Sequence, residues 1–278
     1  MPELPEVEVT RRGIAGPLRG AVVLRATFGK PLRWPFNADP SVLEGTEIGE
    51  VSRRGKYLWL PLSRGPALAG GLLMHLGMSG SLMLLTGPVV PLVGAHDHFD
   101  LMTDRGTLRL NDPRRFGAVL WSASLAAAPA ATLLSRLGPE PFDVGLTPAS
   151  FHASLQARRS PVKAVLLSGV AVVGAGNIYA CEALFLAGIH PALRADRISR
   201  PRATRLLAAL RLTLSKAMDL GGSTLRDFSD VHGASGSYQS QAAVYGRAGL
   251  PCLRCAAPIR RVQQLQRSTF YCPVCQRR

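Results

Sequence analysis

The beginning of the chain lacks the features of an export signal. Glu3, Glu6 and Glu8 occupy the positions where a secretory signal would have basic residues followed by an apolar run. Two apolar stretches, 67–85 and 164–189, are interrupted by polar residues and several glycines. Neither is the run of about 20 apolar residues that a membrane-spanning helix needs. We therefore expect no membrane segment and a cytoplasmic location.

Cysteine is scarce, and four of the five cysteines are confined to one end of the chain. They form two Cys-x-x-Cys pairs, Cys252 with Cys255 and Cys272 with Cys275, separated by sixteen residues. Without an export signal we expect no disulfide framework. The spacing instead favours one structural zinc ion held by four thiolates on a β-hairpin, and a redox dithiol is the alternative. The fifth, Cys181, is expected to be a small buried residue.

Acidic residues are also few. The chain has 18 Asp and Glu against 33 Lys and Arg, which gives a formal charge of +15, and residues 250–278 contain six arginines and no acid. An excess of positive charge specifies partners rather than a fold. It favours nucleic acid first and a membrane surface second. A basic protein without a charged partner is the remaining alternative.

The first eight residues, Met-Pro-Glu-Leu-Pro-Glu-Val-Glu, offer an unusual nucleophile. Removal of the initiator Met would leave Pro2 with a free secondary amine, whose pKa near 8 leaves about 10% neutral at pH 7. Only the neutral amine attacks a carbonyl-like carbon, and Glu3 and Glu6 lie close enough in sequence to move protons. The alternative is a plain helix start, because proline and carboxylates both suit a first helical turn.

The hydrophobic pattern divides the chain into two parts. Residues 3–15 have the periodicity of a helix, and the sequence from 21 to 121 alternates short β-rich runs with turn signals, as in an antiparallel sandwich or barrel. A segment rich in Ala, Pro and Gly, 122–150, marks a domain boundary. Helical patterns follow, including a helix that begins near Pro201 and ends at Gly221-Gly222.

We accordingly expect an N-terminal domain over 1–121, a linker over 122–150, a helical domain over 151–245 and a zinc finger over 246–278. The polar, glycine-rich segment 227–241 is typical of a long functional loop.

Two internal motifs combine glycine with potential base-contacting side chains. In Asp-Pro-Arg-Arg-Phe-Gly, residues 112–117, Arg114 could hydrogen-bond a base edge and Phe116 could insert between stacked bases. In His-Leu-Gly-Met-Ser-Gly, residues 75–80, the glycines permit close backbone approach and Met78 is a flexible apolar group. The alternatives are a surface turn for the first motif and a core strand for the second.

Several residues could contact phosphate. Lys56 precedes an apolar strand, where an ammonium suits a phosphate, although a solvated lysine is equally consistent with the pattern. The run around Gly174 and Gly176 resembles a dinucleotide loop but has Tyr179 in place of the third glycine, so that interpretation is rejected. Asn177 is better interpreted as a helix N-cap, near a helix start that can bind phosphate, with Lys163 adding charge.

Taken together, these motifs resemble the formamidopyrimidine-DNA glycosylases, and the resemblance extends nearly from end to end. The segments that match are residues 2–8, 75–80, 112–117, 176–180 and 266–272, the last lying within the zinc hairpin. The resemblance implies an α+β fold. This fold has an N-terminal antiparallel β-sandwich with a leading helix, followed by a helical helix–two-turns–helix domain that ends in a zinc-finger β-hairpin.

The resemblance also implies an activity. The family removes oxidised purines, such as 8-oxoguanine and formamidopyrimidines, from double-stranded DNA through a Schiff base at the N-terminal proline. It then cleaves the strand by β- and δ-elimination, acting as a glycosylase and lyase in base excision repair. A bacterial, nucleoid-associated location and a monomeric state are expected, with zinc as the one cofactor.

Residue roles carry over position by position. The resemblance makes Pro2 the nucleophile, Glu3 the acid/base and Glu6 a supporting carboxylate. It places Lys56, Asn177 and Arg267 on phosphates, and Lys56 is also counted among the catalytic residues. It places Met78, Arg114 and Phe116 in the gap left by the extruded base. His75 and Lys163 belong to the wider DNA-binding set.

The chain departs from the family pattern at the 227–241 loop, and at Cys181 and Leu186, where polar or charged residues are common. Two alternatives stay open at this point. One is the related endonuclease VIII type, which favours oxidised pyrimidines. The other is a non-enzymatic zinc-ribbon DNA-binding protein, which would not need a free Pro2.

Overall fold

A computed structural model describes residues 2–87, 89–223, 231 and 236–278. The chain divides into two compact units. The first contains the described residues of Met1–Ser135 and of Gly221–Gly236, and the second contains Arg136–Leu220 and Ser237–Arg278.

The first unit opens with helix α1, Leu4–Leu18, which is longer than the expected 3–15. Leu4, Val7, Ile14 and Leu18 are all buried. Their spacing of three, four and seven residues places them on one side of the helix, which explains why this segment packs as a helix against the sheets.

In the described part of the first unit, nine strands follow α1, and they form two antiparallel sheets. One sheet has the order β1-β7-β8-β6, and the other has the order β2-β4-β5-β9 with β3 paired to β4. The strands are β1 Val23–Phe28, β2 Glu47–Ile48, β3 Ser52–Arg54, β4 Tyr57–Arg64, β5 Ala67–His75, β6 Ser81–Leu85, β7 Asp97–Thr103, β8 Gly106–Asn111 and β9 Ala118–Ser122.

One hydrophobic core joins these elements. It combines residues of α1 with Leu58 and Leu72 from one sheet and Phe99 and Leu108 from the other. Side chains of both sheets therefore meet in a shared interior, as in a β-sandwich. The sandwich with a leading helix is confirmed.

The second unit is helical and ends in a hairpin. Its longest helix, α6, runs over Arg200–Asp219, with Ser199 as its N-cap residue and Pro201 in its first turn, as expected from the sequence. The other helices of this unit are shorter: α3 Pro148–Gln156, α4 Val162–Ser168 and α5 Asn177–Ala187. The short helix α2, Ala130–Leu134, belongs to the first unit.

Asn177 is the first residue of α5 rather than its cap. Gly176 occupies the N-cap position with extended backbone angles, and the Asn177 side chain makes tertiary hydrogen bonds instead. The expectation that Asn177 is the N-cap was therefore wrong. An N-cap residue accepts a backbone N–H through its side-chain oxygen, but Asn177 already lies inside the helix, where its Oδ1 is buried without a hydrogen-bond partner among the described residues and only its Nδ2 is engaged.

The C-terminal hairpin consists of β10 Arg260–Gln264 and β11 Arg267–Tyr271, paired antiparallel. It lies between the two cysteine pairs, as expected. Of the 227–241 loop, residues 227–230 and 232–235 lie outside the described residues, and Tyr238–Gln241 forms a single 3-10 turn. Within the described ranges, no helix combines the length and apolar character required to cross a membrane.

Candidate active site and nucleic-acid interface

Two carboxylates are buried at the start of α1. Glu3 and Glu6 are each 1% exposed. The backbone N–H of Glu3 donates to Glu6 Oε2 at 2.8 Å, and the backbone N–H of Ser223 donates to Glu6 Oε1 at 2.7 Å. Both oxygens of Glu6 are thus held by backbone amides, which fixes the turn that begins the helix.

The contact from Ser223 depends on the residue before it. Gly222 has φ +82°, and a Cβ at this position would lie 2.9 Å from Glu6 Oε1. Only glycine permits both that backbone conformation and that approach. The segment 222–223 therefore closes over Glu6, beside the buried Pro2 and Glu3.

Glu8, the third acid of the motif, has a different environment. Burial alone would raise its pKa, but hydrogen bonds from Arg11, Arg12 and Arg53 outweigh that effect and lower the pKa of Glu8 to about 2. The Arg53 contact, at 3.1 Å, ties α1 to β3. Glu8 is therefore a permanently ionised structural group rather than a proton donor.

The two glycine-containing motifs are joined through one buried carboxylate. Asp112 accepts from Ser79 Oγ at 2.6 Å and from the backbone N–H of Gly117 at 2.7 Å, and the backbone N–H of Arg114 donates to Ser79 Oγ at 3.1 Å. Gly77 has φ +64°, and a Cβ there would overlap the backbone of Phe116. These contacts hold the two loops as one rigid pair.

This pair of loops presents three candidate side chains to the surface. Met78 is half-buried, whereas Arg114 and Phe116 are exposed. The Arg114 guanidinium lies 4.9 Å from the centre of the Phe116 ring, and Arg115 takes a left-handed φ of 54° between them. An exposed aromatic ring on a rigid loop is able to insert between stacked bases.

His75 lies at the end of β5 and is half-buried. Its Nδ1 accepts from the backbone N–H of Gly77 at 2.9 Å. Its ring packs against that of Tyr57, with 4.8 Å between the two ring centres. Burial lowers the pKa of His75 to about 4, with further lowering from Lys56 and Arg33. His75 is therefore neutral at physiological pH, and its Nε2–H is available as a donor.

In the second unit, the candidates gather at the start of α5 and at β11. Asn177 Nδ2 donates to the carbonyl of Ser268 at 2.9 Å, and Lys163 Nζ donates to Thr269 Oγ1 at 2.5 Å. Both side chains brace the strand that begins with Arg267, which is exposed. Lys163 is only 1% exposed, so its ammonium lies beneath the hairpin and not on the surface that phosphate would contact.

The four cysteines of the two pairs come together. Their sulfur atoms all lie within 4.8 Å of one another, with 3.5 Å between Cys255 and Cys272 and 3.9 Å between Cys252 and Cys275. Ligands about 2.3 Å from a tetrahedral zinc ion are about 3.8 Å apart. The cluster fits one structural zinc ion, as the spacing predicted.

Some residues of the site were missed by the sequence reasoning. Asp112 and Ser79 had no assigned role although both lay inside recognised motifs, and Ser223 was not considered. Asp side chains commonly accept hydrogen bonds from the backbone of a following turn, so Asp112 at the start of a turn that contains proline and glycine was a usable signal. Nothing local indicated the contact between Ser223 and Glu6, which are 217 residues apart.

Three family models match the chain. They are the formamidopyrimidine-DNA glycosylase N-terminal domain over residues 1–119, the formamidopyrimidine-DNA glycosylase H2TH domain over 137–229, and the zinc finger found in FPG and IleRS over 249–278. Together they cover most of the chain.

Curated relatives match over the full length. The formamidopyrimidine-DNA glycosylase of Variovorax paradoxus is 57% identical over 277 residues, and that of Acidovorax sp. strain JS42 is 56% identical over 277 residues. Each alignment covers all of this chain and all of the relative.

Solved structures also match. The MutM (Fpg) protein of Thermus thermophilus is 38% identical with a TM-score of 0.87, and the alignment covers 99% of this chain and 98% of that one. The Lactococcus lactis Fpg in complex with DNA containing an abasic site is 31% identical, also with a TM-score of 0.87, covering 99% of this chain and 100% of that one.

Proposed function

The chain belongs to the formamidopyrimidine-DNA glycosylase family and is a DNA glycosylase of base excision repair, and from this premise we propose that its lesions are oxidised purines and its nucleophile is Pro2. The observation that supports the proposal is the buried carboxylate pair beside Pro2, in which the Glu6 carboxylate accepts two backbone N–H groups. Family membership argues against the non-enzymatic zinc-ribbon alternative, and DNA is the macromolecular partner.

The chemistry proceeds through the imino end of Pro2. Its nitrogen attacks C1′ of the damaged nucleotide, the bond from C1′ to the base breaks, and the sugar ring opens to an iminium ion. The iminium acidifies the C2′ proton, so elimination breaks the bond to the 3′ phosphate and a second elimination releases the 5′ phosphate. Glu3 moves protons at the sugar in these steps.

Glu6 has a positioning role. Because its two oxygens accept from the backbone N–H groups of Glu3 and Ser223, the carboxylate orients the peptide that carries Glu3. In this role Glu6 acts through Glu3 and does not itself contact the substrate.

The joined loops support base extrusion. Extrusion costs a few kcal/mol, and burial of a side chain such as Phe116 returns about 1.5–3 kcal/mol. Met78 and Arg114 fill the rest of the gap, with Arg114 facing the orphaned base. Lys56, His75, Asn177 and Arg267 contact phosphates, and Lys163 supports the Arg267 strand from beneath.

One experiment tests the nucleophile. Borohydride is added during reaction with a duplex that contains 8-oxoguanine, and the trapped adduct is mapped by mass spectrometry. We expect the adduct on Pro2, at the nitrogen exposed by loss of Met1. An adduct on one of the lysines would contradict the assignment, and so would full activity in a chain extended at its N-terminus.

A panel of duplexes tests the lesion class. We expect 8-oxoguanine and formamidopyrimidine to be excised at least tenfold faster than thymine glycol. The reverse order would assign the chain the pyrimidine preference of the endonuclease VIII type. We also propose that the protein acts as a monomer associated with the bacterial nucleoid, which sedimentation and imaging in cells would test.

A further inference from the structure

A cavity of about 320 Å³ in the second unit has no part in the chemistry above. Phe185 and Leu186 of α5, Leu212 of α6, and Leu253 of the first cysteine pair contribute its apolar walls. Leu186, Leu212 and Leu253 are 39%, 60% and 66% exposed. An exposed apolar cluster around a cavity of this size is typical of a binding site.

Two cations lie at this cavity. The Arg254 guanidinium carbon lies 4.5 Å from the centre of the Phe185 ring. The same guanidinium donates to the backbone carbonyl of Phe185 at 3.3 Å, near the C-terminal end of α5. Lys216 is exposed, and its ammonium group makes no hydrogen bond or ion pair with the described residues. Among the described residues that line the cavity, only Glu182 carries a carboxylate, and both of its oxygens accept backbone N–H groups. The accessible charge is therefore positive.

The cavity lies away from the DNA-contacting end of the same unit. Asn177 begins α5 and Leu186 nearly ends it, and eleven helical residues span about 16 Å. Likewise, Arg267 begins β11, whereas Leu253 lies near the other end of that strand. Leu253 is in the turn between Cys252 and Cys255, and the Cys255 sulfur contacts that of Cys272, the residue that follows β11. A ligand in the cavity would not compete with DNA held by Asn177 and Arg267.

We propose that this cavity docks a short segment of a partner protein, in which an apolar side chain is flanked by carboxylates. The apolar walls would take the side chain, and Lys216 and Arg254 would pair with the carboxylates. A nucleic acid backbone would pair with the two cations but would not bury the exposed leucines. The apolar walls of the cavity therefore favour a polypeptide ligand. This inference does not depend on the identity of the lesion.

The test is selection of peptides from a random display library on the zinc-loaded, full-length protein. The best sequence is then synthesised with a fluorescent label, and its binding is measured by anisotropy. We expect enriched sequences to combine Asp or Glu with a large apolar residue. We expect the Kd of the synthetic peptide to rise at least tenfold for Leu253→Asp and, separately, for Lys216→Glu.

Matched controls use exposed positions outside the cavity. Val144→Asp introduces the same charge at a residue that is 97% exposed, and Arg205→Glu reverses a charge on an exposed face of α6; both should leave the Kd within twofold. A saturating undamaged duplex should also leave peptide binding unchanged. All four variants should excise lesions from naked DNA at the wild-type rate.

Three outcomes would overturn the proposal. They are failure to enrich any peptide, equal loss of binding in the control variants, and displacement of the peptide by duplex DNA. The last would show that the cavity belongs to the DNA footprint, and the first would show that it holds no such segment.

Discussion

At the scale of single residues, Glu3, the N-cap residue of α1, and Glu8, within that helix, have different environments. Glu3 adjoins Pro2 and is almost fully buried, whereas Glu8 is ion-paired to three arginines. The same substitution should therefore have different effects at the two positions, and the contrast separates a chemical role from a structural one.

We expect Glu3→Gln to lower the single-turnover rate of excision by 10² to 10⁴, the usual contribution of a proton-transferring group. Its Kd for damaged duplex and its free energy of unfolding should change little. Glu8→Gln should instead lose about 1–2 kcal/mol of stability, because partly buried pairs to Arg11, Arg12 and Arg53 are broken, with excision nearly intact. A large activity loss in Glu8→Gln alone would reverse the two roles.

Phe116 allows a similar comparison. Its ring is 41% exposed, so Phe116→Ala removes little buried area in the free protein. We expect excision to slow tenfold to hundredfold, about 1.4–2.8 kcal/mol, with Kd for undamaged DNA within twofold. Phe142→Ala, at a residue 44% exposed in the other unit, is the control and should change neither quantity. Equal losses in excision and bulk affinity would argue against insertion between bases.

His75 should give the protein an acid-sensitive contribution to stability. Its pKa is about 4 when folded against an ordinary value of 6.5, so the unfolded chain binds the proton more readily. The free energy of unfolding that depends on neutral His75 is therefore fully present above pH 6.5, and it decreases as the pH falls towards 4. Partial exposure reduces the effect to about 1–2 kcal/mol.

Urea denaturation at pH 7 and pH 4.5 checks this contribution. His75→Gln, which cannot titrate but can still accept from Gly77, should lose less stability over that interval than the wild type. Equal losses would mean that His75 does not contribute to the acid sensitivity.

At the scale of elements, the loops that carry Met78 and Phe116 depend on the absence of a side chain at Gly77. Gly77→Ala would meet both a left-handed φ and the backbone of Phe116, and we expect a loss of about 3 kcal/mol or more together with slow excision. Gly65→Ala is the matched control. Gly65 has φ +57° with nothing within 4 Å of an added Cβ, so only the conformational cost of about 1 kcal/mol applies.

Thermal unfolding and single-turnover excision are the measurements. If both variants lost the same stability, the close approach of the two loops would be unimportant. If Gly77→Ala retained normal excision despite its instability, the rigid pairing would not be needed for base extrusion.

The elements predicted from sequence were those with a repeating pattern or a fixed spacing. Helix α6 and the hairpin of β10 and β11 were expected, because leucines recur at helical intervals in one and cysteines bracket the other. Strands as short as β2 and β3 and the brief α4 were not, since two to seven residues are too few to show periodicity.

The candidate site was predictable only within continuous motifs. Asp112, Arg114 and Phe116 lie in one run, so their proximity followed from the sequence. The closure of 222–223 over Glu6 arises from tertiary packing across most of the chain, and no local pattern encodes it. The N-cap assignment of Asn177 was wrong by one residue, because the backbone is still extended at Gly176 and helical from Asn177, and no local pattern fixes a helix start that closely.

At the scale of the whole molecule, the formal charge of +15 makes salt the main control of DNA affinity. Each neutralised phosphate contributes about 0.9 to the slope of log K against log salt. Net charge alone does not identify the arginines that neutralise phosphates, but the positions of the arginines in the second unit distinguish them. Arg267 is exposed at the start of β11, whereas Arg254 lies at the C-terminal end of α5.

We expect Arg267→Ala to weaken binding of undamaged duplex and to reduce the magnitude of the salt slope by about 0.9, because one phosphate contact is lost. Arg254→Ala should leave both unchanged. Asn177→Ala should weaken binding at every salt concentration with no change in slope, since an amide releases no counterion. Anisotropy titrations from 50 to 300 mM KCl distinguish the three patterns, and an equal change of slope for Arg254→Ala would place DNA at the cavity that we assign to a protein partner.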